Sequence, residues 1–510
     1  MTQLVWFKRD LRIHDHTPLF EAAARGPVLP LYIVEPNLLQ SASMHPAHWT
    51  FIRASLIELR DHLARLGQPL IVRVGEAITV FKALQEAIAF THLWAYEESG
   101  NGLTYARDRA VRRWARSVGL PFTEIPQNGI IRGRLDRDQW SSHWEAAMNA
   151  AITPTPDVLP TIDLPIGAIP THAELQLAPD EMSKAQPGGE AAGLRLLRSF
   201  LHERGETYTR AMSSPLEGWW TCSRLSPYLA WGTLSARRAY QDTLGAQAAL
   251  AALPQAALGR WPSAYRSFTE RLAWRSHFMQ KLETEPRLEF ENLVTTYDRV
   301  RVGEFNVGRF NAWEHGQTGY PMIDACMRCL AQTGWINFRM RAMLVSFAAY
   351  DLWLHWRDFA HVLSQRFLDY EPGIHYPQLQ MQSGTTGINA LRIYNPTKQA
   401  IDQDPNGDFI RKFVPELASV PTTWIHTPWL MPSDLQRRLG VRIGREYPAP
   451  IVDHDRQYTL AREKLGVIRQ LPETRLQANA VQERLGSRRK PRRAPRSRKS
   501  SISQDQLPLF

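Results

Sequence analysis

Arg271, Trp274, Arg275 and Phe278 recur at i, i+3, i+4 and i+7, so one helix face carries two guanidinium groups and two aromatic rings. Such a stripe suits a planar or anionic ligand; an exposed face packed on a neighbour would read the same way. Upstream, Thr221-Cys222-Ser223-Arg224-Leu225-Ser226-Pro227-Tyr228-Leu229 places small hydroxyl residues just before a helix. Hydroxyls and free amides at a helix start suit a phosphate, and they equally serve as a plain N-cap. Downstream, Trp313-Glu314-His315-Gly316-Gln317-Thr318-Gly319-Tyr320-Pro321 leads into a helix that ends at Thr333-Gly334-Trp335. Cys326-x-x-Cys329 and Cys222 are the only thiols, one short of a four-cysteine cluster. The pair sits on one helix face, where thiols pack, so no metal is expected.

These residues need elements to hold them. The chain has 510 residues, 44% hydrophobic and 22% charged, a globular composition that excludes a wholly disordered, collagen-like or membrane-embedded protein. The first 130 residues alternate short apolar runs (Leu4 to Phe7, Val28 to Val34, Pro69 to Val74, His92 to Tyr96) with amphipathic helices. That pattern predicts a doubly wound parallel α/β domain over 1–130. No Gly-x-Gly-x-x-Gly follows a strand, so a dinucleotide-binding Rossmann site is not supported. Residues 131–187, rich in Pro, Thr and Asp toward the end, read as an interdomain linker. From 188 to 470 the period is helical, predicting an all-α domain. Residues 471–510 lose apolar content and read as a disordered basic tail. No leader segment or 18-residue apolar run occurs, and three cysteines build no disulfide framework, so a cytoplasmic protein with no membrane contact is expected.

The blocks named above, taken with the opening Leu4-Val5-Trp6-Phe7-Lys8-Arg9-Asp10-Leu11-Arg12, resemble the cryptochrome/photolyase family of light-driven flavoproteins. Arg392-Ile393-Tyr394-Asn395-Pro396, Asp404-Pro405-Asn406-Gly407 and Tyr447-Pro448-Ala449-Pro450 extend the resemblance over about residues 3–468. It implies FAD folded into the helical domain. Its phosphates would lie against Ser223, the Leu225 backbone and Ser226, with Tyr208 nearby and Cys222 where a Thr is usual. Arg341 and Asp369 would form a cation–carboxylate pair beside the flavin ring, with Arg275 and Glu371 also at the cofactor. Trp274 and Trp335 would wall the cavity that receives damaged DNA, with Arg275 meeting phosphate or base edges.

The resemblance also exposes departures. Where photolyases use a Glu that contacts damaged bases, this chain has Arg271. The usual His-Asn pair reads Asn337-Phe338. The residue expected near flavin N5 falls on His375, whose ordinary pKa near neutrality would suit proton donation. Of the family's three-Trp electron chain only Trp356 keeps its place; the inner position reads Leu379 and the outer Gly303. A second, antenna chromophore is expected in the first domain, but the polar pair of folate-binding members falls on Leu103 and Thr104, which leaves its identity open. The implied activity is blue-light-driven splitting of pyrimidine dimers, with a repair-inactive photoreceptor as the alternative.

Charge adds a partner. Of a formal net charge of +11, the segment 486–510 carries +7. This arm suits DNA phosphates, or simply keeps the protein soluble. It ends in Gln506-Leu507-Pro508-Leu509-Phe510, which resembles the peptide by which bacterial repair proteins grip the sliding clamp. Leu507, Leu509 and Phe510 would be the apolar anchors and Gln506 the polar orienter.

Overall fold

The computed structural model describes residues 1–133, 136–252 and 254–486. Five parallel strands form one sheet in the order β3-β2-β1-β4-β5: β1 Gln3–Phe7, β2 Val28–Val34, β3 Ile71–Val74, β4 His92–Tyr96 and β5 Phe122–Ile125. β1 lies central because every one of its residues is buried, as both faces of a parallel sheet require. Its side chains alternate between two cores. Leu4 and Trp6 face the helices Ala77–Ile88 and Gly102–Ser117, through Phe81, Leu84, Val111 and Trp114. Val5 and Phe7 face Thr17–Ala23 and Pro46–Arg65.

That second core does not stop at the domain edge. It runs on through Tyr228, Leu229, Trp231, Tyr265 and Phe268 of the helical domain. Polar contacts pin the same seam. Arg9 donates from Nε to the Ala230 carbonyl at 2.9 Å and from Nη2 to the Tyr370 carbonyl at 2.6 Å, while its guanidinium covers the Trp231 ring. Asp15 accepts from Ser235 and Arg237.

The expected linker over 131–187 is part of the folded body. It contains the helix Trp140–Asn149, whose Trp140, Trp144 and Met148 are buried. Its remainder is a strap bonded to the first domain: Leu159 donates to the Leu66 carbonyl, Val72 to the Ile166 carbonyl, and Trp49 Nε1 to the Pro170 carbonyl. Lys184 N then reaches the Gln332 carbonyl in the second domain. Its proline-rich composition rules out regular structure over 151–187 without ruling out fixed structure, because backbone groups bonded to a neighbour hold an irregular chain in place.

The helical domain is built around Trp261–Thr284, Pro321–Thr333, Phe338–Ser346, Trp356–Arg366 and Pro372–Gln382. Pro321 and Pro372 stand in the first turns of their helices, where a missing N–H costs nothing, and Gly334 ends one of them in a left-handed conformation. The boundary expected at 471 is corrected. Helix Pro472–Leu485 folds back on the body, burying Thr474, Val481 and Leu485, with a Thr296–Thr474 hydroxyl hydrogen bond of 2.8 Å and an Arg484–Glu285 ion pair of 2.5 Å. A polar-looking helix needs only one buried stripe to dock. The basic arm and Gln506, Leu507, Leu509 and Phe510 lie outside the described residues.

Candidate functional site

The loop 221–226 is shaped by one residue the sequence did not single out. Arg204 donates to the carbonyls of Trp220, Cys222 and Ser223, holding all three on one side. In trans peptides the next N–H points the opposite way, so the amides of Ser223 and Arg224 face outward beside the Ser223 and Ser226 hydroxyls. Arg224 adopts a left-handed φ of 57°, which turns the chain, and its guanidinium lies 3.7 Å above Trp219 and 4.9 Å above Trp335. Tyr208 is buried nearby and bonded to the Arg271 side chain. Burial pushes the Cys222 thiol up to about 12, partly opposed by Arg204, so it stays protonated and is no nucleophile at neutral pH. Hydroxyls, outward amides and cations are the donor set a diphosphate requires.

A second charged group sits farther along. Arg341 donates from Nη1 and Nη2 to the two oxygens of Asp369, each at 2.9 Å, and its guanidinium stacks 4.3 Å above Phe367. Its Nε donates to the Ile336 carbonyl, so the fork cannot rotate. Such a planar, fixed pair presents a set charge to whatever lies beside it. Close to Asp369, Arg275 donates to Asn128 Oδ1 at 3.1 Å, the Leu229 carbonyl at 2.8 Å and Glu371 Oε2 at 3.3 Å. Burial lowers the Arg275 pKa, and Glu371 opposes that shift.

Four buried polar atoms around these groups have no hydrogen-bond partner among the described residues: Arg224 Nε, Asn337 Oδ1, Arg339 Nε and Glu371 Oε1. Orphaned buried polar atoms are costly, and a polar ligand bound beside them would offset that cost. The residues therefore fit an anionic, heteroaromatic cofactor.

Two expected site residues stand in settings that the sequence did not suggest. Trp335 is 5% exposed, covered by Arg224 and packed edge-on to Trp219 at 5.7 Å. Trp274, half-buried, meets His277 and Phe278 instead. His375 is no near-neutral proton donor. It is buried, its Nε2–H donates to the Ala360 carbonyl at 2.9 Å, and burial pushes its pKa down to about 4. Its ring packs among Phe367, Tyr370 and Tyr376. A composition-based reading assigns histidine its ordinary pKa, but desolvation disfavours the cation.

Trp356 is fully buried with Nε1 bonded to Asn292 Oδ1 at 2.7 Å. It lies 6.4 Å from the ring of Tyr376, whose hydroxyl meets that of Tyr370 at 3.2 Å. The inner position Leu379 is buried, and Gly303 is exposed. Cys326 and Cys329 are buried packing residues, bonded to Met322 Sδ and the Trp335 carbonyl.

A different cleft, of about 750 Å³ including its open mouth, lies at the carboxyl ends of β1, β2 and β4. This is the switch point where the strand order reverses, the usual ligand crevice of open α/β sheets. Its lining includes Trp6, Glu35, Glu98, Arg107, Trp231 and Tyr370, and also Leu103 and Thr104. Sequence reasoning missed Arg9, Asn128, Arg204 and Arg224 as site-shaping residues. Arg9 and Arg224 lay within noted motifs, Arg9 as part of a strand and turn and Arg224 between the hydroxyl residues of a helix start, while Asn128 and Arg204 lay in none.

Comparison with known proteins follows from this geometry. A family model described as the FAD binding domain of DNA photolyase matches residues 268–466, and one described as DNA photolyase matches residues 3–133. Cryptochrome DASH of Gloeobacter violaceus is 31% identical over 89% of this chain and 93% of its own length. The deoxyribodipyrimidine photo-lyase of Escherichia coli is 30% identical over 89% of this chain and 96% of its own. Among solved structures, a bacterial class III photolyase from Agrobacterium tumefaciens superposes with a TM-score of 0.81 at 25% identity, covering 92% of this chain and 98% of that one.

Proposed function

Because this chain belongs to the cryptochrome/photolyase family, we propose that it is a FAD-dependent, blue-light-driven DNA photolyase that splits UV-induced pyrimidine dimers. The observation that carries the reading is the Arg341–Asp369 pair, with both carboxylate oxygens engaged at 2.9 Å and Arg341 Nε on the Ile336 carbonyl, next in sequence to Trp335, whose ring Arg224 of the hydroxyl-rich loop covers. When bound, reduced FAD would supply the photoexcited electron that opens the dimer and take it back afterwards, with no net redox change. The chain's own residues do the rest. The Ser223 and Ser226 hydroxyls, with the amides that Arg204 turns outward, bind phosphates. Arg341 and Asp369 hold a fixed cation and anion beside the ring, which sets its charge state. Leu379 and its buried neighbours exclude water.

Arg271, Trp274 and Arg275 are assigned to a DNA lesion turned out of the duplex. Blue-light treatment of a thymine-dimer oligonucleotide, and separately of a (6-4) lesion, with the reduced protein should restore normal bases in one of them. Repair of neither establishes the second reading, a photoreceptor without repair activity. One observation favours that reading: Arg271 bonds Tyr208 and stands where repair members place a carboxylate. We assign the cleft at the carboxyl ends of β1, β2 and β4 to a second, light-harvesting chromophore, because Trp6, Trp231 and Tyr370 give it aromatic walls. Any such chromophore should be released by acid and identified by its absorbance and mass.

The basic arm is assigned to DNA phosphates, and Gln506 to Phe510 to the bacterial sliding clamp. Deleting those last five residues should abolish clamp binding while flavin content stays unchanged.

A further inference from the structure

Arg301 is a buried cation without a carboxylate. Its residue is 4% exposed, yet no ion pair involves it among the described residues. Three partly buried arginines contrast with it: Arg107 meets Glu35, Glu98 and Asp108, Arg275 meets Glu371, and Arg341 meets Asp369. The equally buried Arg12 also bonds only carbonyls, those of His14, Asp15 and Gly232, but all three of its guanidinium nitrogens are engaged. Arg301 has only carbonyls. Nε donates to Ala349 at 3.1 Å and Nη2 to Ser383 at 3.3 Å. Two rings flank the guanidinium, Trp353 at 4.7 Å and Tyr350 at 5.8 Å.

Three polar groups in this cluster have no hydrogen-bond partner among the described residues: Arg301 Nη1, the Tyr350 hydroxyl and the Ser383 hydroxyl. All three are donors or can act as donors. The acids that act on Arg301 besides Tyr350 are Glu304 and Asp358. Both are committed elsewhere, Glu304 to Lys464 and the Trp353 indole, and Asp358 to the His355 amide. Burial accordingly lowers the Arg301 pKa to about 10, still far enough above neutrality to keep the charge. A buried charge with unpaired donors around it is expensive unless an opposite charge neutralises it.

The space bounds the size of that opposite charge. Gly384, at φ 75°, lies against the site. A Cβ there would stand 2.6 Å from both the Tyr350 hydroxyl oxygen and a Leu391 methyl. Packing this close beside the Tyr350 hydroxyl leaves no room for a bulky group.

We propose that Arg301, Tyr350 and Ser383 form a buried binding site for one small inorganic anion, chloride or a halide of like size. The site is independent of the flavin and DNA readings, because none of its residues belongs to the groups assigned to them. The ion accepts from Arg301 Nη1 and the two hydroxyls, and it fixes the loop 299–303 to Phe347–Asp351 and to Ser383.

Two measurements on the full-length protein test it. Crystals soaked in sodium bromide should show one anomalous peak beside Arg301 Nη1; a water with no anomalous signal there overturns the proposal. Thermal unfolding should shift upward, saturably, with sodium chloride relative to sodium gluconate at equal ionic strength. Ser383→Ala and Tyr350→Phe should each need roughly tenfold more chloride for the same shift, the loss expected for one hydrogen bond to a charged group. Arg301→Met should abolish the shift. An equal chloride response in wild type and the hydroxyl variants overturns the proposal even if Arg301→Met does not fold.

Discussion

Two charged regions of this protein are built on opposite plans. In the cleft at the sheet's carboxyl edge, Arg107 touches Glu35 at 2.8 Å, Glu98 at 2.5 Å and Asp108 at 2.8 Å, and Lys8 meets Asp108 at 2.8 Å. Its charges are satisfied within the protein. In the helical domain, the groups around the loop 221–226 and the Arg341–Asp369 pair leave Arg224 Nε, Asn337 Oδ1, Arg339 Nε and Glu371 Oε1 without partners. The difference separates a region whose charges are neutralised by folding alone from one whose charged groups keep open hydrogen-bonding capacity for what it binds. Closed networks stabilise a fold, whereas open ones hold desolvated polar groups in readiness and recover that cost on binding.

The comparison can be broken first at its closed end. Arg107→Met leaves three acids in a buried cleft without their cation and should cost about 3–5 kcal/mol of stability. Urea unfolding should show the loss, while the flavin-to-protein ratio of the folded fraction stays at the wild-type value. A lost flavin with unchanged stability would reverse the assignment of the two regions. At the open end, Asp369→Ala strands Arg341 and should weaken FAD retention by roughly 100-fold, near 3 kcal/mol. Flavin absorbance after gel filtration reads this directly. The first domain's cleft should be untouched, so unfolding of the flavin-free protein should shift far less than in Arg107→Met.

Acid sharpens the contrast further. Burial holds His48 and His375 each at about 4, below the ordinary value of 6.5. For a depressed histidine the unfolded chain takes up its proton first. Stability is therefore full above pH 6.5 and falls as pH drops from 6.5 toward 4. Substituting His375 by Gln should make that acid limb shallower, and flavin spectra of the variant and wild type should show the same pH dependence between pH 6 and 8. A His375-dependent spectral transition near pH 7 would restore it as a proton donor.

The smallest effect belongs to the interdomain seam. Glu190 raises the pKa of His14 through a 2.7 Å contact. That contribution is full below pH 6.5 and is lost as pH rises through the elevated value. Because His14 is nearly half exposed, a His14–Glu190 double-mutant cycle should give under about 1 kcal/mol at pH 6 and less at pH 8.

Fold class was legible early because it depends on periodicity. Buried parallel strands must be apolar throughout, and Leu4 to Phe7 and Val28 to Val34 are. Domain edges were less legible. The strap at 151–187 and the helix Pro472–Leu485 look polar, but each needs only a few buried contacts to dock. The Arg341–Asp369 pairing implied by the matching blocks is formed in the fold. Arg204 was not singled out, and Arg224 was quoted within a motif without its role, because nothing local marks an arginine that binds three carbonyls or covers two indoles.

The sequence by itself determined the residue types, their order and hence the family: a parallel sheet domain, a helical domain, and a basic end carrying most of the net charge. Only the tertiary structure decided which charges are spent on one another and which are left open. It alone put Arg224 over the Trp335 ring, made His375 a buried neutral donor, and left Arg301 a buried cation with no ion pair among the described residues. The reason is physical. Residue identity fixes what a group can do in water, while its pKa, its exposure and its unpaired donors depend on neighbours distant in the chain.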